Sequence, residues 1–225
     1  MTFDDGFLSA YDHALPELRR YGYRAGVAVI GRWLDRDDAQ SFGYCSAQEL
    51  SELIAEGWSI FNHSYSSFND LADISFEEAR RCQEAICRHL PKPGGEAPPG
   101  PGEGYEATVF TVPFTNRLWV AVIDENSEAL GLYLTQIYDD DGARLQLVDG
   151  AGERLPGVLA VGTFHLTRDR IADWVEGSYN YFDQAHGAAT ADPPGHAWVS
   201  LHGHGVRYNE DWCAVSVAAS YLYHT

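Results

Sequence analysis

The sequence predicts an α/β fold built on a parallel sheet, and two observations lead to this prediction. Short apolar runs bounded by glycine or turn residues, typical of buried strands, alternate with segments whose apolar residues recur at helical spacing. Residues that bind metals or carry protons follow directly after several of these runs. Strand–helix alternation is characteristic of parallel sheets, whose sites assemble at the carboxyl ends of the strands. We expect the 225 residues to form one such domain, residues 1–225.

Local patterns define the elements of the first ninety residues. Ser46 and Glu49 have the spacing of a capping box, and Ser75 is a second helix cap. Gly22 and Gly57 each stop an apolar helical pattern. The predicted elements are, in order, a helix over 6–23, a strand over 25–30, a helix over 46–57, a strand over 58–61 and a helix over 75–90.

The second part of the chain gives fewer local signals. Residues 91–104 hold five of the ten prolines and are predicted to be an irregular loop. A β-type run over 108–112 stops at Pro113, because proline cannot donate to the ladder of a sheet. Two further strands are predicted, over 145–148 and 197–201.

Charge limits the classes of partner. The formal net charge is −18, from 33 acidic against 15 basic residues. Such a chain repels polyanions, so we expect no nucleic-acid partner. No apolar run is long enough to be a membrane-spanning segment.

The adjacent carboxylates of Asp4 and Asp5 are the first candidate site. They follow an apolar residue and precede Gly6, so they read as a strand end that turns into a loop. Two carboxylates turned toward one point repel each other unless a cation lies between them. With a metal present, one Asp can ligate it while the other acts as a base. The alternative is an ordinary surface turn rich in Asp.

Three polar clusters fall at predicted strand ends, which a chance distribution does not explain well. A lone histidine is usually a core or surface residue, but here three strand ends carry Asp or His. Asp and neutral imidazole are suitable ligands for zinc and related divalent metals. The clusters are Asp4-Asp5 after the first run, Asn62-His63-Ser64 after Phe61, and His202 with His204 after Leu201.

These residues resemble three signature motifs of the polysaccharide deacetylases, which share the NodB-homology domain of carbohydrate esterase family 4. The similarity is good over residues 1–90 and around 196–215, and poor between them. The motifs are Thr2-Phe3-Asp4-Asp5-Gly6, then Gly57-Trp58-Ser59-Ile60-Phe61-Asn62-His63-Ser64-Tyr65-Ser66, then Trp198-Val199-Ser200-Leu201-His202-Gly203-His204-Gly205-Val206.

The resemblance implies a distorted (β/α) barrel that removes N- or O-acetyl groups from a carbohydrate polymer or oligomer with a divalent metal, in the first place Zn²⁺. Asp5 and His63 would be metal ligands, and Asp4 the general base for the attacking water. His204 would be the general acid, because its sequence context fits the family's ending better than that of His202. A secreted or cell-envelope location is the family's habit, although the chain shows no signal peptide.

The sequence departs from the family at the second metal histidine. The family carries it four residues after the first, a spacing that places two side chains on one face of a helical turn. Here that position is Ser67, a poor ligand. The third ligand is therefore open: Ser67 itself, Asn69 or Asp70, or none.

Other departures concern the third motif and the chain ends. The expected counterpart of the third motif, residues 110–114, lacks the arginine that holds the catalytic base, and Arg117 is the nearest candidate. The sequence also predicts a barrel that lacks its first strand before Thr2 and its C-terminal end after Thr225.

Two other functions remain open beside the deacetylase. A domain of the same fold that has lost catalysis would bind glycan or serve a structural role, and Ser67 favours this reading. An amidohydrolase of the same fold would act on a small non-sugar amide. Four aromatic residues are candidates for stacking on sugar rings, although each is also a plausible core residue. They are Trp33, Tyr65, Trp119 and Trp212.

Overall fold

The computed structural model describes residues 1–67 and 73–137 and the backbone of three later strands, 146–148, 158–165 and 196–203. All eight strands belong to one sheet, with the order β6-β5-β4-β3-β2-β1-β8-β7. Neighbouring pairs are parallel except for the antiparallel pair of β5 and β6. The strands are β1 (Thr2–Phe3), β2 (Gly26–Val29), β3 (Ser59–Asn62), β4 (Val109–Thr111), β5 (Leu134–Ile137), β6 (Gln146–Val148), β7 (Val158–His165) and β8 (His196–Gly203).

Strand β1 lies in the middle of the sheet although it has only two residues. Thr2 pairs with Gly26 of β2 on one side and with His202 of β8 on the other. Strand β1, which begins at Thr2, fills this central position; that the domain is incomplete at its two ends stays a prediction. The sequence predicts a strand end at this point from the glycine and the polar residues that follow it, because two residues are too few for a periodic pattern.

Helices follow the strands, as the alternation predicted. Five α-helices are described: α1 (Leu15–Arg20), α2 (Gly31–Leu34), α3 (Ala47–Ala55), α4 (Phe76–His89) and α5 (Leu118–Leu130). A π-helical turn, Ala10–Ala14, precedes α1. Two 3₁₀ turns, Ala39–Phe42 and Pro113–Thr115, complete the set.

The predicted helix caps are confirmed. Ser46 Oγ accepts a hydrogen bond from the Gln48 N–H at 3.2 Å, and Glu49 accepts one from the Ser46 N–H at 2.7 Å. Ser75 caps α4 through a hydrogen bond from the Glu78 N–H. The helix predicted over 6–23 is interrupted, because Pro16 cannot donate to the carbonyl four residues before it and a wider π turn precedes α1.

Two apolar clusters pack against the sheet. The larger one joins β1, β2 and β3 to α1, α3 and α4. The smaller one centres on Phe110 and Trp119, whose rings lie 4.9 Å apart. Trp119 is buried, so its reading as a sugar-stacking residue is wrong. In the described part of the chain, no helix combines the length and apolar character needed to cross a membrane.

Candidate active site

Four residues other than glycine adopt left-handed backbone conformations in the described ranges, and all follow strands that neighbour one another or share a neighbour. Asp5 (φ 68°) follows β1, Ser64 (φ 62°) and Ser67 (φ 54°) follow β3, and Phe114 (φ 54°) follows β4. Each such residue costs on the order of 1–3 kcal/mol and persists only where its surroundings hold it. Strain is therefore concentrated at the carboxyl edge of the sheet, where parallel α/β folds place their sites.

Asp4 and Asp5 lie at the turn that the sequence predicts. Asp4 is 2% exposed, whereas the side chain of Asp5 is 20% exposed. The positive φ of Asp5 and of Gly6 reverses the chain directly after β1. One carboxylate thus faces the protein interior and the next lies at the surface of the site.

His63 approaches Asp5 from the end of β3. Its Nε2 lies 3.5 Å from Asp5 Oδ1, and its residue surface is 4% exposed. Its Nδ1 lies 2.8 Å from the carbonyl oxygen of Thr111, at the end of β4. Since a carbonyl only accepts, Nδ1 carries the proton and donates it, which leaves Nε2 directed at Asp5.

The surroundings of His63 favour its protonated form in the metal-free protein. Burial alone lowers the pKa of the imidazole. The hydrogen bond to Asp5, the charges of Asp4 and Asp5 and the contact with Thr111 together outweigh burial, so the pKa of His63 is raised above its usual value. This anionic environment attracts a cation of any kind, a proton or a metal.

Ser67 does not stand on a helical turn with His63. Between them, Ser64 is left-handed and the segment forms bends instead of a helix. The N–H of Ser67 donates to Ser64 Oγ at 2.9 Å. The expectation of one helical face for positions 63 and 67 is therefore wrong, because a left-handed residue breaks the helical repeat. Asp70 and Asn69, the other candidates for a third ligand, lie outside the described residues.

The donor set at this edge fits a divalent metal in its chemistry. A carboxylate and an imidazole whose second nitrogen is fixed by a backbone carbonyl form a common arrangement of metal ligands. Asp5, His63 and Thr111 supply it. Within the ranges that the structure covers, no group of three or more His, Cys, Asp or Glu side chains is close enough to hold a metal ion.

The histidines near the end of the chain stand differently. The backbone of His202 lies in β8, paired with Thr2, two residues before Asp4. Strand β8 ends at Gly203, paired with Phe3. His204 lies outside the described residues. Strand β8, which contains His202 and ends one residue before His204, therefore runs directly beside β1.

A stack of aromatic rings lies beside the Asp turn. Phe7 stacks on Tyr44 at 4.9 Å, Tyr44 stacks on Trp33 at 4.1 Å, and Trp33 contacts Phe42, which is 52% exposed. Burial and then the charge of Asp5 raise the pKa of the Tyr44 hydroxyl above its usual value. Of the candidate sugar-stacking residues, Trp33 belongs to this stack, and Trp212 lies outside the described residues.

Sequence reasoning missed several residues that shape the site. Thr111 acts through its backbone carbonyl, which every residue carries, so no side-chain pattern could reveal it. Tyr44 is far from Asp5 in sequence, and its pairing with Phe7 brings it to the turn that contains Asp5. Arg117 occupies the N-cap position of α5; a role for it in holding the base stays a prediction.

Comparisons with known proteins agree with the motifs. The family model described as polysaccharide deacetylase matches residues 1–93. Among solved structures, a family 4 carbohydrate esterase from Streptomyces lividans in complex with acetate is 21% identical, with a TM-score of 0.51, over 99% of this chain and 86% of that chain. No curated protein matches the chain significantly.

Two further solved structures show the same architecture. The Xyl-CE4 domain of a multidomain xylanase from the hindgut metagenome of Trinervitermes trinervoides is 17% identical, with a TM-score of 0.50, over 98% of this chain and 79% of that chain. A variant of peptidoglycan deacetylase PdaC from Bacillus subtilis is 16% identical, with a TM-score of 0.50, over 99% and 81%. At these identities the structures establish the fold, a partial (β/α) barrel, and the family match spans the first two of the three motifs.

Proposed function

We propose, from the match of residues 1–93 to the polysaccharide deacetylase family model, that this chain is a metal-dependent hydrolase that removes N- or O-acetyl groups from a carbohydrate. The observation that carries the proposal is the 3.5 Å distance between His63 Nε2 and Asp5 Oδ1. The other ring nitrogen of His63, Nδ1, is held by the backbone carbonyl of Thr111. This geometry directs a carboxylate oxygen and imidazole Nε2 to the same point, and a metal bound there would take the place of the proton on Nε2.

The residues divide the work of acetyl hydrolysis between them. Asp5 and His63 would hold the metal, with Ser67 or Asp70 as candidates for a third ligand. When bound, a divalent metal supplies a Lewis acid for the acetyl carbonyl and for the attacking water. The buried carboxylate of Asp4 lies next to Asp5 and would take the proton from that water. His204 would give a proton to the leaving amine or alcohol.

Zinc is the metal we propose, on the basis of ligand type. Carboxylate oxygen and imidazole nitrogen both suit Zn²⁺, and catalytic zinc usually has three protein ligands. We propose two of these, Asp5 and His63, so the affinity depends on what supplies the third.

A catalytically inactive domain that binds glycan is the second candidate function. The observation that favours it is serine at position 67, where the resemblance implies a histidine. An amidohydrolase acting on a small non-sugar amide would use the same site, so only its substrate distinguishes it.

Zinc titration of the wild type and of Asp5→Ala tests the proposal. We expect the wild type to bind one zinc per chain and Asp5→Ala to bind it at least about 100-fold more weakly, since it loses a direct ligand and not only an outer partner. Asp37→Ala is the matched control, because Asp37 is exposed and its substitution removes the same charge as Asp5→Ala. A wild type that binds no zinc in excess metal contradicts the proposal.

Acetate release identifies the reaction. The substrates to be tested are chitin oligomers, acetylated xylan, peptidoglycan and a small acetamide. Xylan and peptidoglycan are included because similar structures come from a multidomain xylanase and from a peptidoglycan deacetylase. Zinc binding without acetate release from any of these favours the inactive glycan-binding domain. Release from a small acetamide alone favours the amidohydrolase.

A further inference from the structure

The segment from His63 to Ser67 follows β3 and is held in a strained shape. Ser64 and Ser67 both adopt positive φ, and neither is glycine. Left-handed serine is unfavourable because its Cβ crowds the backbone. A loop with two such residues keeps its shape only if neighbouring groups fix it at several points.

Helix α4 supplies the most direct of these contacts, through hydrogen bonds to Glu78. The N–H of Ser66 donates to Glu78 Oε2 at 2.8 Å, and the Ser66 hydroxyl donates to the same oxygen at 2.6 Å. Ser66 lies between the two left-handed residues. One carboxylate oxygen therefore ties down both the backbone and the side chain of the residue in the middle of the loop.

The second oxygen of Glu78 extends the hold to the neighbouring residue. Glu78 Oε1 lies 3.4 Å from Arg81 Nη1, one turn along α4. The guanidinium of Arg81 lies over the ring of Tyr65, with its Cζ 3.7 Å from the ring centroid. We call this pair the Glu78–Arg81 clamp. It contacts Tyr65 and Ser66, the two residues between the strained serines.

The carboxylate is placed where it can act in this way. The side chain of Glu78 is 12% exposed, so its hydrogen bonds are screened little by water. It stands in the first turn of α4, where the helix dipole favours a negative charge. Hydrogen bonds to an ionised acceptor are roughly twice as strong as neutral ones.

We propose that Glu78 is a positioning residue. It fixes the shape of the His63–Ser67 loop and thereby orients the side chains of this loop toward the metal and the substrate. The role rests on the proposed function, since it concerns the same site. Glu78 touches neither Asp5 nor His63 in the described contacts, so it acts through Ser66 and not on the reacting atoms.

Three variants test the role. Glu78→Ala removes the clamp, and Glu78→Gln keeps an acceptor for Ser66 without the charge. Glu77→Ala is the matched control: Glu77 is the preceding residue, carries the same charge, and pairs with Arg80 on the exposed face. Thermal unfolding of each variant establishes that measurements are made on folded protein.

Zinc affinity by calorimetry is the first readout. We expect Glu78→Ala to bind zinc about 10–100-fold more weakly, the range for loss of a partner that orients a ligand. Glu78→Gln should recover part of this loss, and Glu77→Ala should match the wild type. Equal affinity of Glu78→Ala and wild type, or an equal loss in Glu77→Ala, overturns the proposal.

Amide hydrogen exchange of Ser66 in metal-free protein is the second readout, and it does not depend on the proposed function. We expect exchange at least about tenfold faster in Glu78→Ala, because the hydrogen bond that protects the amide is lost. Unchanged exchange overturns the clamp. If the wild type binds no zinc while exchange still accelerates, the proposed function and the positioning role fail, and the clamp on the loop stands.

Discussion

At the scale of single residues, Ser67 stands where the resemblance implies a third metal ligand. Its backbone is left-handed, and its N–H is bonded to Ser64 Oγ. Histidine is among the residues that tolerate this conformation better than most. Position 67 can therefore accept an imidazole without a new backbone shape.

We expect Ser67→His to tighten zinc binding by at least about tenfold, because it adds a third ligand of the type that catalytic zinc uses. If Asp70 already fills the third position, Ser67→His is neutral or harmful and Asp70→Ala removes the metal. Zinc titration of both variants against the parent distinguishes the two cases. Unchanged affinity in both variants contradicts the placement of the site.

The residues of the site were predictable where their side chains carry the signal. Asp4, Asp5 and His63 were found because carboxylates and an imidazole at strand ends form a pattern of types and order. The left-handed backbone of Ser64 and Ser67 was not predictable, since serine has no marked preference for that region. Glu78 was seen only as part of a helix, because its partner Ser66 is joined to it by tertiary contact.

At the scale of elements, α2 and α4 approach each other at Gly31. A Cβ at this position would lie 2.8 Å from Cys82 Cα and 2.9 Å from a ring carbon of Tyr65. The N–H of Gly31 donates to the carbonyl of Ser64 at 3.1 Å. The same close approach thus holds the loop after His63 from the side of β2.

We expect Gly31→Ala to lower the free energy of unfolding by about 1–3 kcal/mol, the usual cost of overpacking. Gly22→Ala is the comparison, because its added carbon meets nothing within 4 Å and only its positive φ of 74° is unfavourable. Urea unfolding measures both. A Gly31→Ala protein within about 0.5 kcal/mol of the wild type contradicts the contact, since that is the range of neutral surface changes.

The elements of the first ninety residues could be predicted because caps and glycines mark their ends. Helix α5 was missed: its first turns are a continuous apolar run, which periodicity cannot assign to helix or strand. Gly131, left-handed at its C-cap, was the available signal. Strand β5 follows α5 and pairs with β4. Its formation depends on hydrogen bonds to a strand that is distant in sequence, so local patterns did not predict it.

At the scale of the whole molecule, the charge of −18 makes the protein sensitive to high pH, since like charges repel more as further groups ionise. A buried thiol adds to this sensitivity. Cys82 is fully buried, and burial raises the pKa of its thiol to about 12 from 9.0. The folded state therefore holds this proton at a pH where the unfolded chain has released it.

The contribution of Cys82 to stability is complete below pH 9 and declines as pH rises from 9 toward about 12. We expect the urea midpoint of Cys82→Ala to fall less steeply between pH 8 and pH 10.5 than that of the wild type. Cys87→Ala is the control, because Cys87 is exposed. Parallel profiles for the wild type and Cys82→Ala contradict the expectation.

The left-handed residues after β1 and β3 also restrict which sequences this architecture accepts. At Asp5, Ser64 and Ser67 the backbone disfavours branched side chains such as valine, isoleucine and threonine, whatever chemistry the position performs. A random substitution at these positions must first be compatible with the left-handed backbone and must then preserve the function of the site. A library at these positions should therefore be drawn from glycine, asparagine, aspartate, serine and histidine, and within that small alphabet aspartate and histidine are the ligands that suit zinc.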